Sequence, residues 1–473
     1  DLLRSVQSFC NEFYRSDRKP GLTTDFFTTL LVSSHDIISA VEMVCNVYEH
    51  FKHSRILKKW SEEAQLRIDP VIRSIESRVD THQWRLLEAY RDAGVGEHHL
   101  SSSTGYGYDD AGRETLEAIV ARLFGAETAL FRPHIVSGTH AIASCLFGVL
   151  RPGDQLLYIT GPPYDTLEKV IGKGRDGSGS LADYGISYQA IPLTPEGKVD
   201  WRRVREEAGA GTRCFAIQRS RGYSERSSFR VEEIGEMVEK CREICPGAAV
   251  FVDNCYGEFV EDREPTHVGA DLIAGSLIKN PGGGLAKSGG YIAGKKKWVD
   301  RAAARLVAPG ILAEGGATHG YLRDYYQGFF LAPHVVGEAL KGAVFTSAVL
   351  DAAGFETTPR FDEPRTDIIQ LIRLADPKLL VAFCEGIQAA SPVDAHVRPE
   401  PSPMPGYTDP VIMAAGTFVQ GASIELSADG PLRPPYLAYM QGGLTFSHVK
   451  IGVLTALDRM LEHRRRFPSE SVR

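Results

Sequence analysis

Apolar positions three and four residues apart dominate the first fifth of the chain. They recur in "DIISAVEMVCNVYEHFK" (36–52) and in "VIRSIESRVDTHQWRLLEAY" (71–90), which predicts a helical segment over residues 1–95. "HHLSSSTGYGYDDAGR" (98–113) breaks that period with small and turn-forming residues. "ETLEAIVARLFG" (114–125) resumes it and stops at Gly125, a residue suited to a left-handed helix end. Beyond this point the period keeps switching. Short apolar runs at 128–133, 154–160, 186–193, 213–218, 249–254 and 271–278 read as strands. Amphipathic stretches at 137–150, 164–172, 199–208 and 231–244 read as helices between them. Such alternation predicts an α/β fold, with a mostly parallel sheet covered by helices on both faces.

The style changes after about residue 335. A long helix over 334–355 is followed by mixed strand and helix at 365–374 and 377–390, and by a Pro-rich loop at 397–410. The last helix, 446–467, ends in basic residues that suit the negative end of its dipole. The expected organisation is a helical segment 1–95, a large α/β domain 96–335 and a smaller α+β domain 336–473.

Composition narrows the function classes. A chain of 473 residues, 43% hydrophobic and 24% charged, is long enough for more than one core. Its net charge of −7 offers no basic footprint for nucleic acid. The most apolar early stretch, 26–51, is interrupted by His35, Asp36 and Glu42, so no membrane span is expected. The eight cysteines are scattered without a C-x-x-C pair, which suits a reducing, cytoplasmic setting. The chain begins at Asp1 rather than methionine, which leaves room for a removed leader and, in a photosynthetic eukaryote, a plastid setting. His140 and His319 lack metal-ligand spacing and read as structural, so no metal is expected.

One lysine stands out. In "GSLIKNPGGG" (275–284), Lys279 follows a run apolar enough for a buried strand. Taken alone, it is a strand-end lysine whose amine reaches water. Its company changes that reading. Asp253 ends the apolar run "VFVD", where strand ends of open α/β sheets face a ligand crevice. "SGTHA" (137–141) opens a helix with small residues whose backbone N–H groups suit a phosphate, and Tyr164 adds an aromatic ring. Each signal alone is weak. Together, in this order, they are what a pyridoxal phosphate enzyme of the aspartate-aminotransferase type needs: phosphate cradle, aromatic, acid for the pyridine nitrogen, and Schiff-base lysine. The glycine loop after Lys279 is expected to leave room for that cofactor.

The longer motifs carry a resemblance. "GYGYDDAGRETLE", "RPHIVSGTHAIASCLFGVLRPGDQLLYITGPPYDTLEKVIG", "AIQRSRGYSERSSF", "FVDNCYGEFVE", "GADLIAGSLIKNPGGGLAKSGGYIAG", "DEPRTDIIQ" and "FVQGASIELSADGPLRPPY" closely resemble the aluminium-resistance family, also called methionine gamma-lyase-like or cystathionine beta-lyase-like. The resemblance spans roughly residues 80–462. It implies fold type I, with a seven-stranded sheet, pyridoxal 5'-phosphate as cofactor, and a carbon–sulfur lyase acting on a sulfur-containing amino acid. Lys279 matches the Schiff-base lysine, Asp253 the pyridinium partner, and Tyr164 the stacking aromatic and donor to the leaving thiolate. Gly138 and Thr139 match phosphate-binding amides, and Ser276 one of two hydroxyls before the lysine. Tyr106 or Tyr108 matches a tyrosine that reaches the neighbouring subunit's phosphate, which implies a homodimer or homotetramer. Arg433 is the candidate for the substrate carboxylate, with Arg365 as its rival. Ile278 stands where better-characterised lyases carry the second hydroxyl, and Glu225 where relatives tend to carry an aromatic. Other reactions on the same cofactor, and a cofactor-binding stress protein with little turnover, are the alternatives.

Overall fold

Seven short strands make one sheet, six of them largely buried and one, at an edge, half-exposed. The computed structural model describes residues 47–174, 177–404 and 409–464. From Ile56 onward the chain groups as one unit. The strands are β1 (Thr128–Arg132), β2 (Gln155–Tyr158), β3 (Ser187–Ala190), β4 (Thr212–Gln218), β5 (Ala249–Asp253), β6 (Leu272–Ser276) and β7 (Gly290–Gly294). Their spatial order is β1-β7-β6-β5-β4-β2-β3, and only β7 runs against the others. The expected helix at 36–52 lies mostly outside the described residues.

Six of these strands are the apolar runs identified in the sequence, and β7 is not. "GYIAG" sits in a glycine-rich stretch, and its five residues are too few to show a period. It becomes a strand because its neighbours β1 and β6 supply hydrogen bonds on both sides.

The helices before, between and after these strands include α1 (Ser54–Asp92), α2 (Ala111–Leu123), α3 (Gly138–Val149), α4 (Leu167–Ile171), α5 (Trp201–Glu207), α6 (Val231–Ile244) and α7 (Lys296–Leu306). α3 buries Ala141, Cys145, Leu146 and Val149 in a core with Leu156, Ala216, Phe251 and Ile292. Each large apolar side chain buried in this way contributes roughly 1.5–3 kcal/mol. α3 and α7 approach closely at Gly148, where a Cβ would lie 2.8 Å from the Ala302 backbone nitrogen.

α8 (Leu322–Ala352) is one unbroken helix, so the expected boundary at 335/336 falls inside it. Beyond it, β8 (Glu356–Thr358), β9 (Gln370–Arg373), β10 (Val411–Ala414), β11 (Ser427–Pro431) and β12 (Leu437–Gln441) form a second sheet. This sheet is wholly antiparallel, in the order β10-β11-β12-β9-β8. It is backed by α9 (Pro377–Ala389), on which α10 (Phe446–Arg464) packs in turn. The arginine run 464–466 that suggested a basic helix end lies outside the described side chains. Among the described residues, no helix is long and apolar enough to cross a membrane.

The glycine loop has a different purpose from the one expected. None of Gly282, Gly283 and Gly284 lines the cavity beside Lys279. A Cβ on Gly283 (φ +54°) would lie 2.1 Å from the carbonyl oxygen of Gly328. The loop is therefore glycine-rich because α8 crosses directly over it. Asn280 ties the same loop to the end of β5, its Nδ2 donating to the carbonyls of Tyr256 and Glu258 at 3.0 Å each. These two constraints fix the backbone from which the Lys279 side chain extends.

Candidate active site

β4, β5 and β6 end together, at the edge where α3 begins. Their last residues, Gln218, Asp253 and Ser276, line a cavity of about 230 Å³. Gly138, Thr139, Tyr164 and Lys279 line it as well. Six residues chosen from sequence for one cofactor thus share one wall, although they are spread over more than 140 positions.

The local chemistry follows from each element. Ser137 is extended and caps α3 by accepting the His140 backbone N–H at 3.1 Å. That bond leaves the N–H groups of Gly138 and Thr139 directed outward at the positive end of a twelve-residue helix. The hydroxyls of Thr139 and Thr166, 3.0 Å apart, border the same spot with Ser276. Ile278 also faces the cavity, so these hydroxyls surround the cradle without the one its position lacks. His140 takes a structural role, its Nδ1 accepting the Val136 N–H at 3.2 Å.

Asp253 is buried and accepts the Cys255 backbone N–H at 3.1 Å. Burial pushes its carboxyl above the usual range, while Lys279 draws it back. The chain then turns through Tyr256 in the left-handed region (φ +73°), a strain of about 1–3 kcal/mol for a residue with a Cβ. That turn sets the Tyr256 ring beneath the lysine, with Nζ 3.8 Å from the ring centroid. Burial pulls the ammonium pKa down, but Cys255, Tyr256 and Asp253 outweigh it and the net direction is up.

Other candidates lie elsewhere. Tyr106 and Tyr108 are 79% and 50% exposed and stack on each other, outside the cavity of their own chain. Their loop is nonetheless tied to the body of the fold by hydrogen bonds. Arg113 reaches from α2 to the carbonyls of Gly107 and Gly316 at 2.6 Å each, and the Gly316 N–H donates to Tyr106. Arg433 is half-exposed, paired with Asp409 at 3.1 Å, in a cleft that adjoins the cavity and shares Tyr164, Gln218, Gly222 and Tyr223 with it. Arg365 is absent from both walls and donates to Gln370 at 2.5 Å. Glu225 pairs with Arg373 at the surface.

Sequence reasoning missed several groups on or beside the walls. Gln218 Oε1, Ser220 Oγ and Asp429 Oδ1 are buried without a hydrogen-bond partner, as are Nε and Nη1 of Arg221 in the adjoining cleft. The only signal for Gln218 was its place at the end of an apolar strand. "ADGP", which holds Asp429, reads as a turn.

A family model described as methionine gamma-lyase matches residues 57–461. The chain belongs to the methionine gamma-lyase family. Membership makes it a pyridoxal phosphate-dependent lyase with a small-molecule substrate. The uncharacterized protein YnbB of Bacillus subtilis (strain 168) is 55% identical over 417 residues, 88% of this chain and 99% of its own length. A solved structure from Listeria innocua matches with TM-score 0.83 and 54% identity, covering 85% of this chain and 98% of that one. Another, from Clostridium novyi NT, is described as a carbon-sulfur lyase involved in aluminum resistance. It matches with TM-score 0.82 and 47% identity, covering 85% and 95%.

The residues present fit the cofactor of a methionine gamma-lyase family member. Unspent N–H groups at α3 suit a phosphate, and a buried carboxylate at β5 suits a protonated ring nitrogen. The orphaned Gln218 oxygen lacks a donor that a polar ring substituent would supply.

Proposed function

We propose that the protein is a carbon–sulfur lyase that releases a thiol from an amino acid bearing a sulfur substituent. The observation that carries this reading is the Lys279 amine, held over the Tyr256 ring beside buried Asp253 and facing the cavity. Pyridoxal phosphate, when bound, supplies the electron sink that acidifies the substrate Cα–H. Lys279 Nζ takes the Cα proton, Tyr164 donates a proton to the departing sulfur, and the α3 N-terminus with Ser276 holds the phosphate. Arg433, swinging from Asp409, grips the substrate carboxylate bidentately at the cavity mouth. For a β-substituted substrate the balance is S-alkylcysteine and water giving thiol, pyruvate and ammonium. A γ-substituted substrate gives the four-carbon keto acid in the same way.

We place the cofactor in a domain of residues 96–335, and a smaller domain, 336–473, covers it with the antiparallel sheet. Tyr106 and Tyr108 complete the site of a second copy, in a homodimer or homotetramer. The free thiols among the described residues suit a reducing cytoplasm, which cell fractionation would check. The test of function is a panel of S-alkylcysteines, cystathionine and methionine, assayed for thiol and keto acid together. At least one should yield both in equal amounts, and Arg433→Ala should raise its KM about tenfold or more. Amino-group transfer without thiol release would overturn the lyase assignment. An unchanged KM would remove Arg433 from it.

A further inference from the structure

Three charged side chains line the cavity among the described residues: Asp253, Lys279 and Asp429. The first two are committed to the cofactor. With Arg433 reaching the substrate carboxylate from the adjoining cleft, Asp429 is the only charge on the cavity wall itself left to meet the rest of a substrate, and it is negative.

Its setting is built rather than incidental. Asp429 lies on β11, opposite Tyr439 of β12, and is 8% exposed. Gln441 Nε2 donates to its Oδ2 at 3.3 Å and to Ser427 Oγ at 3.1 Å, and Tyr223 donates to the same carboxylate. These bonds lock the rotamer and leave Oδ1 with no partner. A buried carboxylate oxygen left unpaired is costly unless something else completes it. Burial pushes this carboxyl up to about 6, so it is largely ionised at neutral pH. The wall between Asp429 and Lys279 is apolar and aromatic: Ile278, Ile369, Tyr256, Tyr439 and Tyr223. A thioether side chain could run along that wall and end at the acid.

We propose that Asp429 is a specificity residue that selects a sulfur amino acid whose sulfur substituent ends in a cation. This rests on the lyase reading above and adds the substrate's distal chemistry to it. An ammonium would pair with the free Oδ1, whereas a terminal methyl group would leave it desolvated and unpaired.

The test uses two probes of equal length on the holoenzyme: S-(2-aminoethyl)-L-cysteine and S-propyl-L-cysteine. Both kcat/KM for thiol release and Kd from the change in cofactor absorbance are measured for wild type and Asp429→Asn. Wild type should prefer the aminoethyl compound by about tenfold or more. Asp429→Asn should bring that preference to near parity by weakening the cationic probe alone, with the propyl compound changed by less than about threefold. Equal preference in the two proteins would overturn the proposal, as would a wild type that favours the propyl probe. If neither probe releases thiol, the lyase reading is decided by the wider panel above, while the ratio of Kd values still decides the role of Asp429. Cofactor content and the propyl Kd report whether the variant has kept its fold.

Discussion

Lys279→Ala is expected to lower thiol release by about 10⁴-fold or more, because it removes both the covalent anchor and the base at Cα. The fold should survive. Asn280 still ties the loop to the carbonyls of Tyr256 and Glu258, and the glycines still seat against α8. Borohydride reduction followed by peptide mapping should place the cofactor on the Lys279 peptide of the wild type and on none in the variant. Label on another lysine would sink the assignment. The same variant tests assembly. Mixed with a Tyr106→Ala/Tyr108→Ala double variant, random dimers should regain about a quarter of wild-type activity, since half are mixed and each mixed dimer has one intact site. No recovery after subunit exchange would show that these tyrosines do not serve a neighbour.

Much of this is legible in the sequence. Strands buried on both faces leave continuous apolar runs, so five are visible for that reason, together with the acid and lysine at the ends of β5 and β6, and half-exposed β3 is visible from the apolar residues that flank it. The cap at Ser137 is legible because helix starts follow local rules. What is not legible depends on distance in sequence. β7 is a strand only because β1 and β6 flank it, and the glycines after Lys279 answer to Gly328, more than 40 positions away. Asp429 looks like part of a turn because "DG" usually is one. Its place on the cavity wall comes from pairing with β12 and from Tyr223, which arrives from the other sheet's side of the site. Charge alone does not rank Arg433, Arg365 and Arg221. Exposure and place separate them: Arg433 is half-exposed in an ion pair, Arg365 donates to Gln370 away from both walls, and Arg221 is 2% exposed in the adjoining cleft.

Asp253→Asn should cost about 10²–10³ in kcat with little loss of cofactor. Asparagine keeps the shape and can still accept the Cys255 N–H, so the turn that carries Tyr256 stays formed. What it loses is the negative charge that would keep the ring nitrogen protonated, and with it the power of the cofactor as an electron sink. A second effect runs through the lysine. Asp253 is one of three groups that hold the Lys279 ammonium up against burial, so its neutralisation should lower that pKa. Because Lys279 acts as a base only when neutral, the kcat loss should appear together with a downward shift in pH of the acidic limb of kcat. Asp253→Ala would leave a cavity as well and should lose cofactor, which separates charge from packing. A kcat for Asp253→Asn within threefold of wild type would mean that Asp253 does not hold the ring nitrogen, and the cofactor would have to be turned within the cavity.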